Sequence, residues 1–216
     1  MSGVHGQDAL LSADAVLHRA AERLAHRFDG MVNPETVDRV VFESYAALGR
    51  TAVVKTHLSS LAERFALDRL TALAQSKGVL AKPVPEVLYV CVQNSGRSQM
   101  AAALTRHLAK GRVHVRSAGS NPSGVGILPA VVTVLEEIGV EVGEEFPKPL
   151  TDDVVRAADA VVTMGCGDAC PLYPGKRYLD WHLADPAELD IDGVRAVRDE
   201  IRAHVEELLS EVSPAV

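Results

Sequence analysis

An α/β fold with a four-stranded parallel sheet flanked by helices, preceded by a small all-α three-helix bundle, is predicted by three observations in this 216-residue chain. Residues 1–82 carry helical periodicity, and residues 83–216 alternate short apolar runs with amphipathic segments. Between them lies Gly78-Val-Leu-Ala-Lys-Pro-Val-Pro85, whose glycine and two prolines make a short stiff linker rather than a continuing helix. A boundary near residue 82 follows. Strand and helix in alternation imply a parallel sheet covered by helices on both faces.

In the first segment, Leu10, Leu11, Val16, Leu17, Leu24 and Phe28 form one apolar helix face. Asn33-Pro34-Glu35 supplies an N-cap, a first-turn proline and a first-turn acid for a second helix, which Gly49 closes. Val53–Leu61 and Phe65–Leu73 are expected to form a third, with a break near Arg64 as a variant, ending at Lys77-Gly78. The second segment reads as strand Glu86–Val90, helix Arg97–Ala109, strand Val113–Ser117 and helix Pro129–Ile138. It continues with helix Asp152–Ala157, strands Ala160–Met164 and Arg177–Asp180, and helix Gly193–Leu209.

The charge is unevenly shared. Residues 1–82 hold 10 basic and 9 acidic side chains, residues 83–216 hold 12 and 20. An acidic body argues against nucleic acid as a partner, and the bundle's near balance argues against a DNA-binding helix-turn-helix. The bundle is therefore expected to serve packing, self-association or partner binding. No stretch approaches the ~20 apolar residues of a membrane span, and the N-terminus lacks the basic and apolar regions of a signal peptide. A cytoplasmic location is the expectation. Three cysteines, all in the second segment, are too few for a secreted disulfide framework.

Cys91-Val-Gln-Asn-Ser-Gly-Arg97-Ser98 follows an apolar strand and precedes an alanine-rich helix. A loop closing there aims backbone N–H groups and a helix N-terminus at one point, which stabilises an anion and favours a thiolate. Arg97 adds a planar fork for two oxygens of a phosphate-like group. Gln93, Asn94, Ser95 and Gly96 complete the candidate binding loop.

A second cluster, Met164-Gly-Cys-Gly-Asp-Ala-Cys-Pro171, also follows a strand, so both should open on one sheet edge. Cys166 and Cys170 in a helical turn would place their Cα atoms ~6 Å apart, within disulfide range. A zinc site is the competing use, but it would need Cys91 and His182 and would sacrifice the anion loop. No metal and no bound cofactor are expected. Asp185-Pro186, after the last strand, offers a carboxyl group that can protonate a leaving oxygen. The remaining histidines show no ligand spacing, and Trp181 reads as core or pocket wall.

On these residues, 85–212 resembles the low-molecular-weight protein tyrosine phosphatase family, and more closely its arsenate reductase branch. The resemblance implies Cys91 as nucleophile, Arg97 as oxyanion clamp, Ser98 hydrogen-bonded to the thiolate and Asp185 as general acid. Three departures favour the reductase branch. Gln99 stands where phosphatases usually carry proline, Ala187-Glu188 stand where they tend to carry aromatic residues, and ester hydrolysis needs neither Cys166 nor Cys170. The resemblance then implies that Cys91 attacks arsenate, Cys166 attacks the Cys91 sulfur to release arsenite, and Cys170 attacks Cys166. The resulting Cys166–Cys170 disulfide would be reduced by thioredoxin, with mycothiol as the alternative reductant. Ala102 replaces a glutamate that in some relatives helps hold a cation behind the loop. Lys148 is expected to substitute its ammonium for that cation and to lower the Cys91 pKa. A tyrosine phosphatase and a redox-sensing regulator are the competing functions.

Overall fold

A computed structural model describes residues 4–53, 55–167 and 170–213, with side chains from residue 13 onward. The chain divides into two compact units, Met1–Ala81 and Lys82–Val216.

The first unit is three helices: α1 (Val4–Arg27), α2 (Pro34–Gly49) and α3 (Leu58–Ser76), each packed on the other two. Leu17, Leu24 and Phe28 are buried as the helical spacing requires, whereas the side chains of Leu10 and Leu11 lie outside the described residues. The start of α2 follows its capping signal: Thr36 N–H donates to Asn33 Oδ1 at 2.8 Å, with Pro34 in the first turn.

The third helix corrects the expectation at two points. It begins at Leu58 rather than Val53, because the chain turns back after α2, with Thr51 and Ala52 N–H both bonded to the Leu48 carbonyl. Val53 is 70% exposed and has no apolar neighbour face to hold it in a helix. α3 also runs unbroken through Arg64, because Leu58, Ala62, Phe65, Ala66 and Leu70 are buried at helical spacing and no glycine or proline interrupts it. A polar clamp joins it to α2: the buried Arg69 donates to Ser44 Oγ at 3.2 Å and to Glu43 at 3.1 Å.

The second unit holds one sheet of four parallel strands, β1 (Glu86–Cys91), β2 (His114–Gly119), β3 (Ala160–Met164) and β4 (Arg177–Asp180), in the order β2-β1-β3-β4. Among the described residues it is accompanied by helices α4 (Arg97–Ala109), α5 (Pro129–Glu136), α6 (Asp152–Ala157) and α7 (Ile191–Val212) and by a short 3-10 turn (Pro186–Glu188). Strand alternation sends Val87, Tyr89 and Cys91 into the core shared with α4 and α7, while Leu88 and Val90 are equally buried on the other face. Burial on both faces explains the unbroken apolar run. Several ends differ from expectation: β1 runs on to Cys91, β2 spans His114–Gly119, α5 stops at Glu136, and α7 spans Ile191–Val212, its start set by Asp190 Oδ1, which accepts from Gly193 N–H at 2.9 Å.

Register decides what meets at the edge. Cys91 pairs with Gly119 on one side and with Met164 on the other, and Thr163 pairs with Asp180. The carboxyl ends of all four strands therefore open on one edge.

At the opposite edge Glu86, 1% exposed, accepts from Arg116 Nε at 2.8 Å and lies 3.1 Å from His114 Nδ1. Burial draws the Arg116 guanidinium down to about 10, opposed by the nearby Asp153 charge. Removing a carboxylate from such a pair leaves a buried charge poorly compensated. Glu86→Gln should lower the unfolding free energy of this unit by about 3 kcal/mol, read by urea denaturation through Trp181, the single tryptophan. A loss below about 1 kcal/mol would show that the pair contributes little.

Candidate active site

The Cys91 loop is held from outside by its own carbonyls. Ser120 N–H donates to Cys91 O (3.0 Å), Asn121 to Val92 O (2.8 Å), Ser123 to Gln93 O (2.8 Å) and Leu128 to Ser95 O (2.9 Å). With the carbonyls turned toward residues 120–128, the N–H groups are left to line the inside, and Asn94 N–H already reaches Cys91 Sγ at 3.2 Å. Gly96 serves as N-cap, so the first turn of α4 starts at Arg97 and adds its unbonded N–H groups to the cradle.

Asn94 sits in the left-handed region, with φ 50°, and is fully buried. Its Oδ1 accepts from Lys148 N–H at 2.8 Å and from Gln99 Nε2 at 3.3 Å. That orientation turns its amide nitrogen to Ser98 Oγ, to which it donates at 2.8 Å. Ser98 Oγ, which accepts there, lies 3.0 Å from Cys91 Sγ, and once the sulfur is a thiolate the Ser98 hydroxyl is the donor of that pair. The sulfur thus has two donors suited to a thiolate. Gln99 also donates to Asn94 O and Phe146 O, each at 3.2 Å, so it braces the loop from beneath.

Arg97 is almost buried, with 10% of its side chain exposed. Its Nη2 donates to Asp185 Oδ2 at 2.6 Å and its Nη1 to Leu183 O at 3.3 Å. The other Asp185 oxygen accepts from Ala187 N–H at 3.1 Å, which caps the 3-10 turn. Ser98 is thus placed on Cys91, and Asp185 is brought onto Arg97 at the end of the same loop.

Cys166 and Cys170 are free thiols in this state, as is Cys91; Asp168 and Ala169 between them lie outside the described residues. The half-buried Cys166 sits 3.9 Å from Val90 O, against the strand that ends in Cys91. Burial pushes its thiol up, and the charge of Cys91 adds to the effect. Burial lifts the Cys170 thiol further, to about 11, with Cys166 adding. Cys170 lines a cavity of about 480 Å³ together with Thr163, Pro171, Leu172 and Tyr178.

Lys148 reaches the loop through its backbone N–H on Asn94. Its ammonium pairs with Glu145 at 2.6 Å and lies over the Phe146 ring. Trp181 is buried and stacked on His204, and His182 is exposed beside Asp180. Among the described residues no group of three or more His, Cys, Asp and Glu is placed to hold a metal ion. No described helix is long and apolar enough to cross a membrane.

Gly119 escaped the sequence reading, and Gly165 has a task beyond the turn it makes. A Cβ on Gly119 would lie 2.7 Å from Val92 O, so only glycine lets the Cys91 loop close on β2. Gly165 has φ 72°, and a Cβ there would meet Arg97 Nη1 at 3.0 Å, so the cysteine loop backs directly on the clamp. Each lies at the end of a strand beside the loop, a position that could have marked it.

A raised thiol pKa leaves little thiolate at neutral pH, and the reactive fraction grows tenfold per unit up to the pKa. In the reduced protein, Cys170 should be alkylated by iodoacetamide more than about tenfold slower than free cysteine at pH 8. The rate should climb steeply toward pH 11 when followed by peptide mass mapping.

Known proteins share both units. Residues 17–74 match the protein-tyrosine-phosphatase-like N-terminal domain, and residues 86–215 match the low molecular weight phosphotyrosine protein phosphatase. A thioredoxin-dependent arsenate reductase from Corynebacterium glutamicum has a similar structure, with TM-score 0.84 and 51% identity, covering 92% of this chain and 96% of that one. A putative arsenate reductase of Halobacterium salinarum is 33% identical over 131 residues, covering 58% of this chain and 92% of the relative. A glutaredoxin arsenate reductase of Synechocystis is 30% identical, covering 59% of this chain and 98% of the relative. With its Cys-x5-Arg loop and strand order on the matched residues, the chain belongs to the low molecular weight phosphotyrosine protein phosphatase family.

Proposed function

We propose that this protein reduces arsenate to arsenite, with Cys91 as nucleophile, Cys166 and Cys170 as a thiol relay, and thioredoxin as the external reductant. The observation that carries this reading is the register of the sheet. Cys91 pairs with Met164, two residues before Cys166, so the anion loop and the first relay thiol leave adjacent strands at the same edge. A phosphatase has no use for that juxtaposition. Similarity to arsenate reductases, and to a thioredoxin-dependent one at 51% identity, supports the same conclusion.

The chemistry follows from the groups present. Arsenate lies on the loop's N–H groups and Arg97, and the Cys91 thiolate attacks arsenic while Asp185 gives a proton to the departing hydroxyl, which leaves as water. Cys166 thiolate then attacks the Cys91 sulfur. The S–As bond breaks, its electron pair stays on arsenic, and arsenite leaves as the Cys91–Cys166 disulfide forms. Cys170 thiolate attacks Cys166, returning Cys91 as thiolate and leaving a Cys166–Cys170 disulfide. A thioredoxin dithiol takes up that oxidation. Lys148 acts in this scheme by holding Asn94, and Gln93, Ser95 and Gly96 shape the cradle. The helical unit serves self-association or partner binding.

The high Cys170 pKa fits a resting state in which the last thiol is kept inert until the loop moves. The Cys166 side chain already touches β1, so the first exchange needs the smaller displacement.

Arsenate-dependent NADPH consumption with thioredoxin and thioredoxin reductase tests the scheme. Cys91→Ser, Cys166→Ser and Cys170→Ser should each abolish turnover, and Cys170→Ser should accumulate the Cys91–Cys166 disulfide after one release of arsenite. Turnover surviving in Cys166→Ser or Cys170→Ser with mycothiol in place of thioredoxin would establish the small-thiol route. Hydrolysis of tyrosine phosphate without arsenate turnover would establish the phosphatase, and stoichiometric oxidation without turnover the regulator.

A further inference from the structure

The Arg97 guanidinium is engaged before any substrate arrives. It donates to Asp185 Oδ2 at 2.6 Å and to the Leu183 carbonyl at 3.3 Å. A carboxylate offers a guanidinium two oxygens and a negative charge, as does one face of a tetrahedral oxyanion. Asp185 is also anchored, since its other oxygen caps the turn at Ala187 N–H and keeps the carboxylate at the rim.

We propose that Asp185 occupies the Arg97 clamp in place of the substrate, and that a tetrahedral oxyanion binds by taking Arg97 from it. This rests on the loop at Cys91 being the oxyanion site. The exchange gives Asp185 two linked tasks. It keeps the clamp closed to anions too weak to displace a carboxylate, and once displaced it remains tethered by Ala187 N–H with an oxygen freed toward the leaving hydroxyl. Freed from the guanidinium, the carboxylate takes a proton from the protonated oxyanion or from solvent and returns it to the leaving hydroxyl, so binding of the anion sets up the proton donor. A Cβ at Gly165 would lie 3.0 Å from Arg97 Nη1, so the glycine keeps free the space beside the guanidinium in which it exchanges partners.

The test uses the reduced full-length chain and inorganic phosphate, a tetrahedral oxyanion that thiols do not reduce, measured by titration calorimetry. Asp185→Asn keeps the cap oxygen but cannot form the ion pair, and it should bind phosphate about fivefold more tightly than the parent while kcat for arsenate falls. Asp185→Ser, which retains a capping hydroxyl, should show the same opposed changes. Asp180→Asn is the control for general loss of negative charge, because Asp180 pairs with Thr163 at 2.6 Å and belongs to the same sheet edge. It should change phosphate affinity less than about twofold. Unchanged or weaker phosphate binding in both Asp185 variants overturns the exchange, as does equal tightening in Asp180→Asn. Absence of phosphate binding to the parent and all variants overturns the oxyanion site itself, and the exchange with it.

Discussion

The carboxamide of Asn94 is the pin on which the site turns. It is buried, it sits in a backbone conformation that few residues adopt, and its two ends have different tasks. The oxygen is held by the Lys148 N–H and by Gln99, and this alone settles that the nitrogen faces Ser98. Against a thiolate, Ser98 is then the donor to sulfur. A chain of neutral groups thereby delivers a directed donor to the nucleophile, and because it is buried each link is strengthened by the low local dielectric. Gln93, Ser95 and Gly96 inherit their positions from this pin and from the carbonyl contacts with residues 120–128.

The parallel register supplies the second constraint. A tight closing loop after β1 and another after β3 must emerge side by side when Cys91 is paired with Met164. In the proposed relay, thiols brought together in this way exchange without a large change of fold. Their burial has a cost in reactivity, visible in the elevated Cys166 and Cys170 thiols, and it protects them from exchange with stray disulfides. The anion loop, by contrast, surrounds its sulfur with donors. One edge of one sheet therefore holds one sulfur beside two hydrogen-bond donors and two thiols that burial makes less acidic.

The N-terminal unit shows where local signals suffice and where they do not. Asn33-Pro34 determines the start of α2 through bonds made within three residues, so it could be read from the chain alone. The start of α3 could not. Nothing local forbids helix from Val53, and the choice of Leu58 depends on which apolar side chains find a partner face. The absence of a break at Arg64 has the same origin, since Phe65 and Ala66 are locked into the core on either turn.

Strand, loop and helix order in residues 86–212 were legible because each depends on short-range pattern, and with it the place of Cys91, Arg97 and Asp185 at strand ends. Cys166 and Cys170 were legible as a pair for the same reason. The tasks proposed for Cys91, Arg97, Asp185 and Ser98 rest on the family resemblance. The Arg97–Asp185 ion pair, the path from Lys148 through Asn94 to the sulfur, and the need for glycine at 119 and 165 were not. Each of these joins groups from separate strand ends or loops, at distances of a few ångströms that exist only once the parallel register is closed. Chemistry carried by residue type was written in the chain; which partner each side chain would hold was decided by packing, because only packing brings remote segments within the reach of a hydrogen bond.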